Sequence, residues 1–191
     1  MNKVLFITTS PRANGNGDTL IETALNAAKS VGAETTRIDT RKLNINPCKA
    51  CNACMITGAC VQKDDFAELF AAMKDSDSIV ISAPIYMNLP CAQCITILNR
   101  LFNVFSPEYK SSGKRKKLAV MLTFGGSDPE KMKELVANAV GFFAPVEEGA
   151  LGSSYLTEYR IETFPQVEAT LKESPSAYLE KATELGKWVA E

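Results

Sequence analysis

Histidine is absent from the 191-residue chain. That removes the commonest general base, every catalytic triad built on imidazole and every metal site that uses it. Chemistry here must come from cysteine, carboxylate, Lys, Arg or Tyr side chains, or from a bound cofactor. Long apolar runs are missing too, and no window approaches the roughly 18 residues that a membrane span needs. Met1-Asn2-Lys3 is followed by only four apolar residues, Val4 to Ile7, too few for a signal h-region. Basic charge is not in excess, since 21 Lys and Arg stand against 22 Asp and Glu for a net charge of −1. A nucleic-acid partner, which needs a basic face to neutralise phosphates, is therefore not expected. The dense basic run from Lys114 to Lys117 precedes an apolar strand and reads as a solvated face. The expectation is a cytoplasmic protein with no membrane or nucleic-acid partner. Its six cysteines then read as reduced thiols or ligands, not disulfides.

What is present is enough apolar residue, 46% of the chain, for one domain over residues 1–191 with a full core. Short apolar runs alternate with helical patterns. Lys3–Thr8 is a buried strand by composition, and Leu20, Ile21, Ala24, Leu25 and Ala28 recur at helical spacing. Glu34–Asp39 reads as an outer strand, and Phe66, Leu69, Phe70 and Met73 as a helix entered through Asp64-Asp65. Ser78–Ala83 is the next strand, followed by a helical face of Ile95, Leu98, Leu101, Phe102 and Phe105. Leu118–Thr123 is a fourth strand; Ser127-Asp128-Pro129-Glu130 then announces a helix with an N-cap, a first-turn Pro and a capping-box Glu. A last strand falls within Ala150–Ile161, and a final helix starts at Ser174-Pro175. Strands alternating with helices imply parallel pairing by right-handed crossovers, hence a three-layer, doubly wound α/β sheet. Five strands fit the flavodoxin-like order 2-1-3-4-5.

In such a sheet the ligand crevice lies beyond the carboxyl ends of the strands, where the order reverses. Three loops meet there. Thr8–Asp18 offers the hydroxyls of Thr9 and Ser10, the guanidinium of Arg12, Asn16, and Gly15 and Gly17 just before a helix, a combination suited to an anion. The same segment also suits an ordinary strand–helix turn capped by Asp18 or Thr19, with Thr19-x-x-Glu22 as a capping box. Asp18 and Glu22 put negative charge near the proposed anion, which Arg12 and backbone donors must outweigh. The second loop, Pro84-Ile85-Tyr86-Met87-Asn88-Leu89-Pro90, suits a flat heteroaromatic ring, with Tyr86 and Met87 for its faces and Asn88 for its edge. The third, Thr123-Phe124-Gly125-Gly126-Ser127, has paired glycines that let backbone come close.

Ser10-Pro11-Arg12 with Gly17-Asp18-Thr19, then Pro84-Ile85-Tyr86, then Thr123-Phe124-Gly125-Gly126, resembles the NADPH-dependent FMN reductase family. The resemblance implies FMN, with its phosphate on Thr9, Ser10, Arg12, Asn16, Gly17, Asp18 and Thr19. Pro84, Ile85, Tyr86, Met87 and Asn88 would lie along the ring, and Thr123, Gly125 and Gly126 at its polar edge. Members usually read Ser-Pro-Arg followed by Gly-Asn-Thr. Here the loop is longer and Asp18 replaces Asn, or else Gly15-Asn16 is the true match and Gly17-Asp18 an insertion.

Four cysteines lie in the segment 43–63 at Cys48-x2-Cys51-x2-Cys54-x5-Cys60, a spacing that converges readily on one centre. The segment shows no clean helix or strand pattern, and a metal would tie it down. It is similar to the compact cysteine motif of iron–sulfur flavoproteins, a branch of the same family, which implies a 4Fe-4S cluster on Cys48, Cys51, Cys54 and Cys60. A zinc ion held by the same four thiolates and four free thiols are the other readings. Cys91 and Cys94 form a second C-x-x-C at a helix start, either a reactive pair or simply packed.

The expected function is an FMN-dependent NAD(P)H oxidoreductase. It would pass electrons to a small-molecule or protein acceptor, with the flavin, not a side chain, carrying the chemistry. The alternative is a non-catalytic flavodoxin-like binding module with a zinc site or free thiols. The family also implies a homodimer or homotetramer. Tyr86, Met87 and Leu89 would otherwise leave an apolar mouth exposed, extended by Phe102, Val104 and Phe105.

Overall fold

Five parallel strands in the order β2-β1-β3-β5-β6 form the main sheet. The computed structural model describes residues 1–107, 109, 114–141, 143 and 155–191. Its strands are β1 (Lys3–Thr8), β2 (Glu34–Asp39), β3 (Ser78–Tyr86), β4 (Leu89–Pro90), β5 (Lys116–Thr123) and β6 (Leu156–Phe164). The helices are α1 (Asn16–Ser30), α2 (Ala53–Thr57), α3 (Phe66–Asp75), α4 (Ala92–Arg100), α5 (Pro129–Gly141), α6 (Val167–Glu173) and α7 (Ser176–Ala190). With the short β4 set aside, this is the expected flavodoxin-like order. β4 is a hairpin return that pairs antiparallel with the end of β3.

The central strands are nearly continuous apolar runs because helices cover both of their faces. Side chains alternate across the sheet. Leu5 and Ile7 enter one core with Phe66, Met73, Ile79, Leu118 and Val120. Val4 and Phe6 enter the other with Leu20, Ile21, Val80, Met121 and Trp188. On that second face α1 crosses α7 so closely that a Cβ on Gly186 would stand 2.1 Å from the Ala24 carbonyl oxygen.

Several boundaries differ from the sequence expectation. The expected helix face over Ile95–Phe105 is α4 followed by a 3-10 turn at Leu101–Phe105, and Val104 is buried instead of extending an exposed apolar surface. The last strand runs to Phe164, three residues past its expected end, and the expected residues 150–154 lie outside those described. α6, between that strand and the final helix, has no counterpart in the sequence expectation. The Asp128 cap is as expected, its carboxylate accepting from the amides of Glu130 and Lys131 at 3.0 and 3.2 Å.

Candidate functional site

A crevice of about 680 Å³ opens at the carboxyl ends of the strands. That volume suits a ligand of cofactor size, since such sites typically span about 300–1,000 Å³. Its floor and one wall come from Ser10, Arg12, Gly15, Asn16 and Gly17 after β1. Pro84, Ile85 and Tyr86 from the end of β3, with Thr123, Phe124 and Gly125 after β5, make the opposite side. A further wall comes from α6, through Gln166, Val167, Glu168, Ala169, Lys172 and Glu173.

The anion end is built by the first turn of α1. Gly15 is its N-cap, in extended conformation, and no side chain caps the helix. A helix start has orphan N–H groups and a partial positive charge, so the first-turn amides of Asn16 and Gly17 are donors without a side-chain partner. Asp18 and Thr19 are therefore not caps, and the expected Thr19–Glu22 box does not form. Gly17 allows α1 to seat against β3, because a Cβ there would meet Ser82 Oγ at 3.0 Å. The Ser10 hydroxyl accepts from the Arg12 amide at 3.1 Å and shapes the loop before it.

The acidic groups of this loop turn away from the crevice. Asp18 is buried on the β2 side, where it accepts from Thr8 Oγ1 at 3.2 Å and pairs with Arg37 at 2.7 Å and Arg41 at 3.0 Å. Glu22 pairs with Arg37 at 2.6 Å. Arg41 also bonds Asp39 and the Arg12 carbonyl, so β2 holds the outside of the anion loop. The Arg41 contacts help hold the Asp39 carboxyl below its ordinary value, against the burial that opposes it. The sequence-level conflict between Asp18 and a bound anion is thereby removed.

Beyond the crevice wall, β3 and β4 form a hairpin whose two central residues, Met87 and Asn88, both have positive φ, 51° and 59°. That is the conformation of a two-residue primed turn, where Gly and Asn are at ease and Met is strained. Met87 is fully exposed, while Asn88 accepts from the Ser127 hydroxyl at 2.8 Å and ties the hairpin to the glycine loop. Of the sequence candidates, the structure thus brings Ser10, Arg12, Asn16, Gly17, Pro84, Ile85, Tyr86, Thr123 and Gly125 together. It places Thr9, Asp18, Thr19, Met87, Asn88 and Gly126 outside the crevice wall. Thr9 donates to the Ser82 carbonyl at 2.9 Å and borders an apolar cavity of about 230 Å³ beneath α4 and α5. Cys94 borders the same cavity, and burial pushes its thiol up to about 12, so it packs and does not react. Cys91 is buried and donates to the Thr9 carbonyl at 3.2 Å.

The cysteine segment lies between β2 and α3. Its two ends are tied together. Asp65 accepts from the Asn44 amide at 2.6 Å and Asp64 from the Asn46 amide at 3.0 Å, while Gln62 donates to the Pro47 carbonyl at 3.1 Å. Arg100, at the end of α4, clamps Asp64 with two hydrogen bonds of 2.7 and 2.9 Å and reaches the Asn46 carbonyl at 2.8 Å. This pair is almost fully buried and holds the Asp64 carboxyl well below its usual range.

All six cysteines of the chain are unpaired thiols. Cys48 and Cys51 are exposed, Cys54 and Cys60 half-buried. Burial, and then the neighbouring sulfurs of Cys60, Cys48 and Cys51, raise the Cys54 thiol above its ordinary value. Ala50 and Asn52, on either side of Cys51, have positive φ, and the Ala50 amide donates to Cys48 Sγ at 3.4 Å. Backbone N–H groups turned toward sulfur are a feature of iron–sulfur sites. In donor chemistry the segment therefore fits such a cluster. Among the described residues no group of three or more Cys, Asp or Glu side chains is gathered to hold a single metal ion.

Two parts of this arrangement escape sequence reading. The α6 wall follows a strand that runs on to Phe164, beyond its expected end, and so adds a fourth loop at the carboxyl edge. Arg100 does carry a signal: a lone charge sharing a helical stripe with Ile97, Leu101 and Val104.

An iron–sulfur flavoprotein of Methanocaldococcus jannaschii is 38% identical over 98 residues, 51% of this chain and 51% of that one. One from Methanosarcina thermophila is 34% identical over 125 residues, 65% of this chain and 64% of its own. The chain thus spans between half and two thirds of the length of these relatives. Among solved structures, an NAD(P)H:quinone oxidoreductase from Methanothermobacter marburgensis superposes with a TM-score of 0.74 at 12% identity, over 97% of this chain and 98% of that one. A flavone reductase gives 0.72 at 21% identity, over 98% and 62%. These last two likenesses speak to the fold alone. The family model for NADPH-dependent FMN reductases matches residues 2–144, and the chain belongs to that family.

Proposed function

We propose that the protein is an FMN-dependent oxidoreductase of the cytoplasm. It takes electrons from NAD(P)H and delivers them to a small-molecule or protein acceptor, and Cys48, Cys51, Cys54 and Cys60 would hold a 4Fe-4S cluster. The observation that carries the flavin reading is the uncapped start of α1, opening with Arg12 onto a crevice of about 680 Å³ from which Asp18 is turned away. When bound, FMN supplies two-electron chemistry, and a cluster supplies single-electron transfer.

The chain's own residues bind and orient. Arg12, Ser10 and the amides of Asn16 and Gly17 suit the phosphate. Pro84, Ile85 and Tyr86 offer one apolar wall for a ring, and Gly125, where a Cβ would meet nothing within 4 Å, leaves the opposite side open for close approach. Glu168 on α6 is tied to Lys172 at 2.7 Å. Lys172 and, more weakly, Arg12 hold its carboxyl below the usual value. The half-exposed Tyr86, Leu89 and Phe102, with the exposed Met87, form the apolar face of a proposed homodimer or homotetramer.

The test is anaerobic mixing of the FMN-loaded chain with NADPH or NADH. Bleaching of the flavin absorbance is expected; an oxidised spectrum unchanged by either nucleotide contradicts the reading.

A further inference from the structure

We propose that Arg100 is the positioning residue of the cysteine centre: it closes the neck of the cysteine loop between Asn46 and Asp64 and brings a buried positive charge, with N–H capacity to spare, to that neck. This rests on the reading that the four cysteines hold a cluster.

The donor accounting leads there. A guanidinium has five N–H groups in a fixed fork. In Arg100, Nη1 serves Asp64 and the Asn46 carbonyl, and Nη2 serves Asp64 again. That leaves one N–H on Nη2 and the one on Nε, and Nε is buried with no hydrogen-bond partner. The fork also stacks on Phe66, with Cζ 4.4 Å from the ring centre, so it cannot swing away to water. A buried donor left unpaired costs stability, and a pair serving only to join α4 to α3 has no need of one.

That donor sits at the neck of the cysteine segment, where the guanidinium bonds Asn46, just before Cys48, and Asp64, just after Cys60. Burial works against the cation, while the Asp64 hydrogen bond and the charge of Cys60 favour it. The net charge of the Arg100–Asp64 pair is zero, but its two ends differ. Asp64 uses its oxygens on Arg100 and on the amides of Asn46 and Phe66, while the guanidinium keeps a buried donor in hand. Four thiolates holding a cluster would carry a negative charge that a buried guanidinium offsets. Groups behind the ligands orient them, and hydrogen bonds to cluster sulfurs set the reduction potential.

The experiment is a redox titration of the anaerobically prepared chain, with iron, acid-labile sulfide and FMN measured on each sample. Arg100→Lys keeps the charge and loses the fork. It is expected to keep FMN at the wild-type level while the cluster midpoint moves to a more negative value. Arg100→Met removes the charge and should move the midpoint further or lose iron outright, again with FMN retained. If Arg100→Met does not fold, Arg100→Lys decides. A loaded Arg100→Lys protein with the wild-type midpoint and iron content overturns the proposal and leaves the cluster reading standing. A wild-type chain that takes up no iron or sulfide overturns the cluster reading, and this role with it.

Discussion

Around the crevice three of the loops are direct continuations of buried strands, and the α6 wall follows the more exposed edge strand β6. The anion loop leaves β1, the hairpin leaves β3 and the glycine loop leaves β5, and these strands are locked in parallel register from Val4 opposite Ser78 to Thr123 opposite Pro84. The site's shape is therefore set by the sheet. The cysteine segment has no strand beneath it. It is fastened at its ends, through Asn44, Asn46, Asp64, Asp65 and Arg100, and its middle bears exposed Cys48 and Cys51. One region is shaped before any ligand arrives; the other is a staked loop whose thiols are neighbours without being gathered. The two are joined through α4, which starts beneath the hairpin at Cys91 and ends at Arg100, about 13 Å along the helix axis.

This contrast predicts that the two regions fail separately. The largest effect is expected for Cys51→Ser, which should abolish stoichiometric iron and sulfide in anaerobic protein yet leave FMN content unchanged. Loss of flavin in step with iron would break the contrast.

Removing one partner of the buried clamp comes next. Arg100→Leu should destabilise the fold by about 3–5 kcal/mol, as breaking a buried ion pair does, measured by urea denaturation. Acid should act on the same clamp. Asp64 is held below its ordinary value of 3.8, so its contribution is complete above that value and is lost as the pH falls below it. Amide exchange around residues 43–63 should then quicken before exchange in β1 and β3 does. Simultaneous loss in both regions contradicts the contrast.

A smaller effect is expected at the anion loop. Arg12→Ala should weaken FMN binding about 10- to 100-fold, the worth of one charge-assisted hydrogen bond, with iron content unchanged. Unaltered affinity takes Arg12 out of the site. The smallest change is expected at the hairpin. Met87→Gly relieves a left-handed backbone and should raise stability by about 1 kcal/mol without altering FMN or iron content. A destabilised variant would mean that the Met87 side chain contributes contacts which the exposed turn does not show.

The sheet is legible in the sequence because parallel strands such as Lys3–Thr8 and Ser78–Ala83 must be apolar on both faces, and crossover helices carry their own period. The same logic locates the crevice, since its place follows from strand order. It cannot say which way Asp18 faces. That depends on Arg37 in β2 and Arg41 in the 3-10 turn after it, which the sheet brings across to the loop. α6 is hidden by a strand that outruns its apolar pattern, and the burial of Val104 by a helix that tightens to a 3-10 turn at Leu101. The cysteine spacing is plain to read. What fastens the loop is not, because the clamp joins residues 36 apart in sequence.

The most direct test of the central claim, a crevice shaped for FMN, is titration of the apo-protein with FMN and with riboflavin, followed by flavin fluorescence. Tight FMN binding that weakens markedly when the phosphate is missing is the predicted result. Equal affinity for the two, or no uptake of either, would show that the start of α1 and Arg12 do not form a phosphate site.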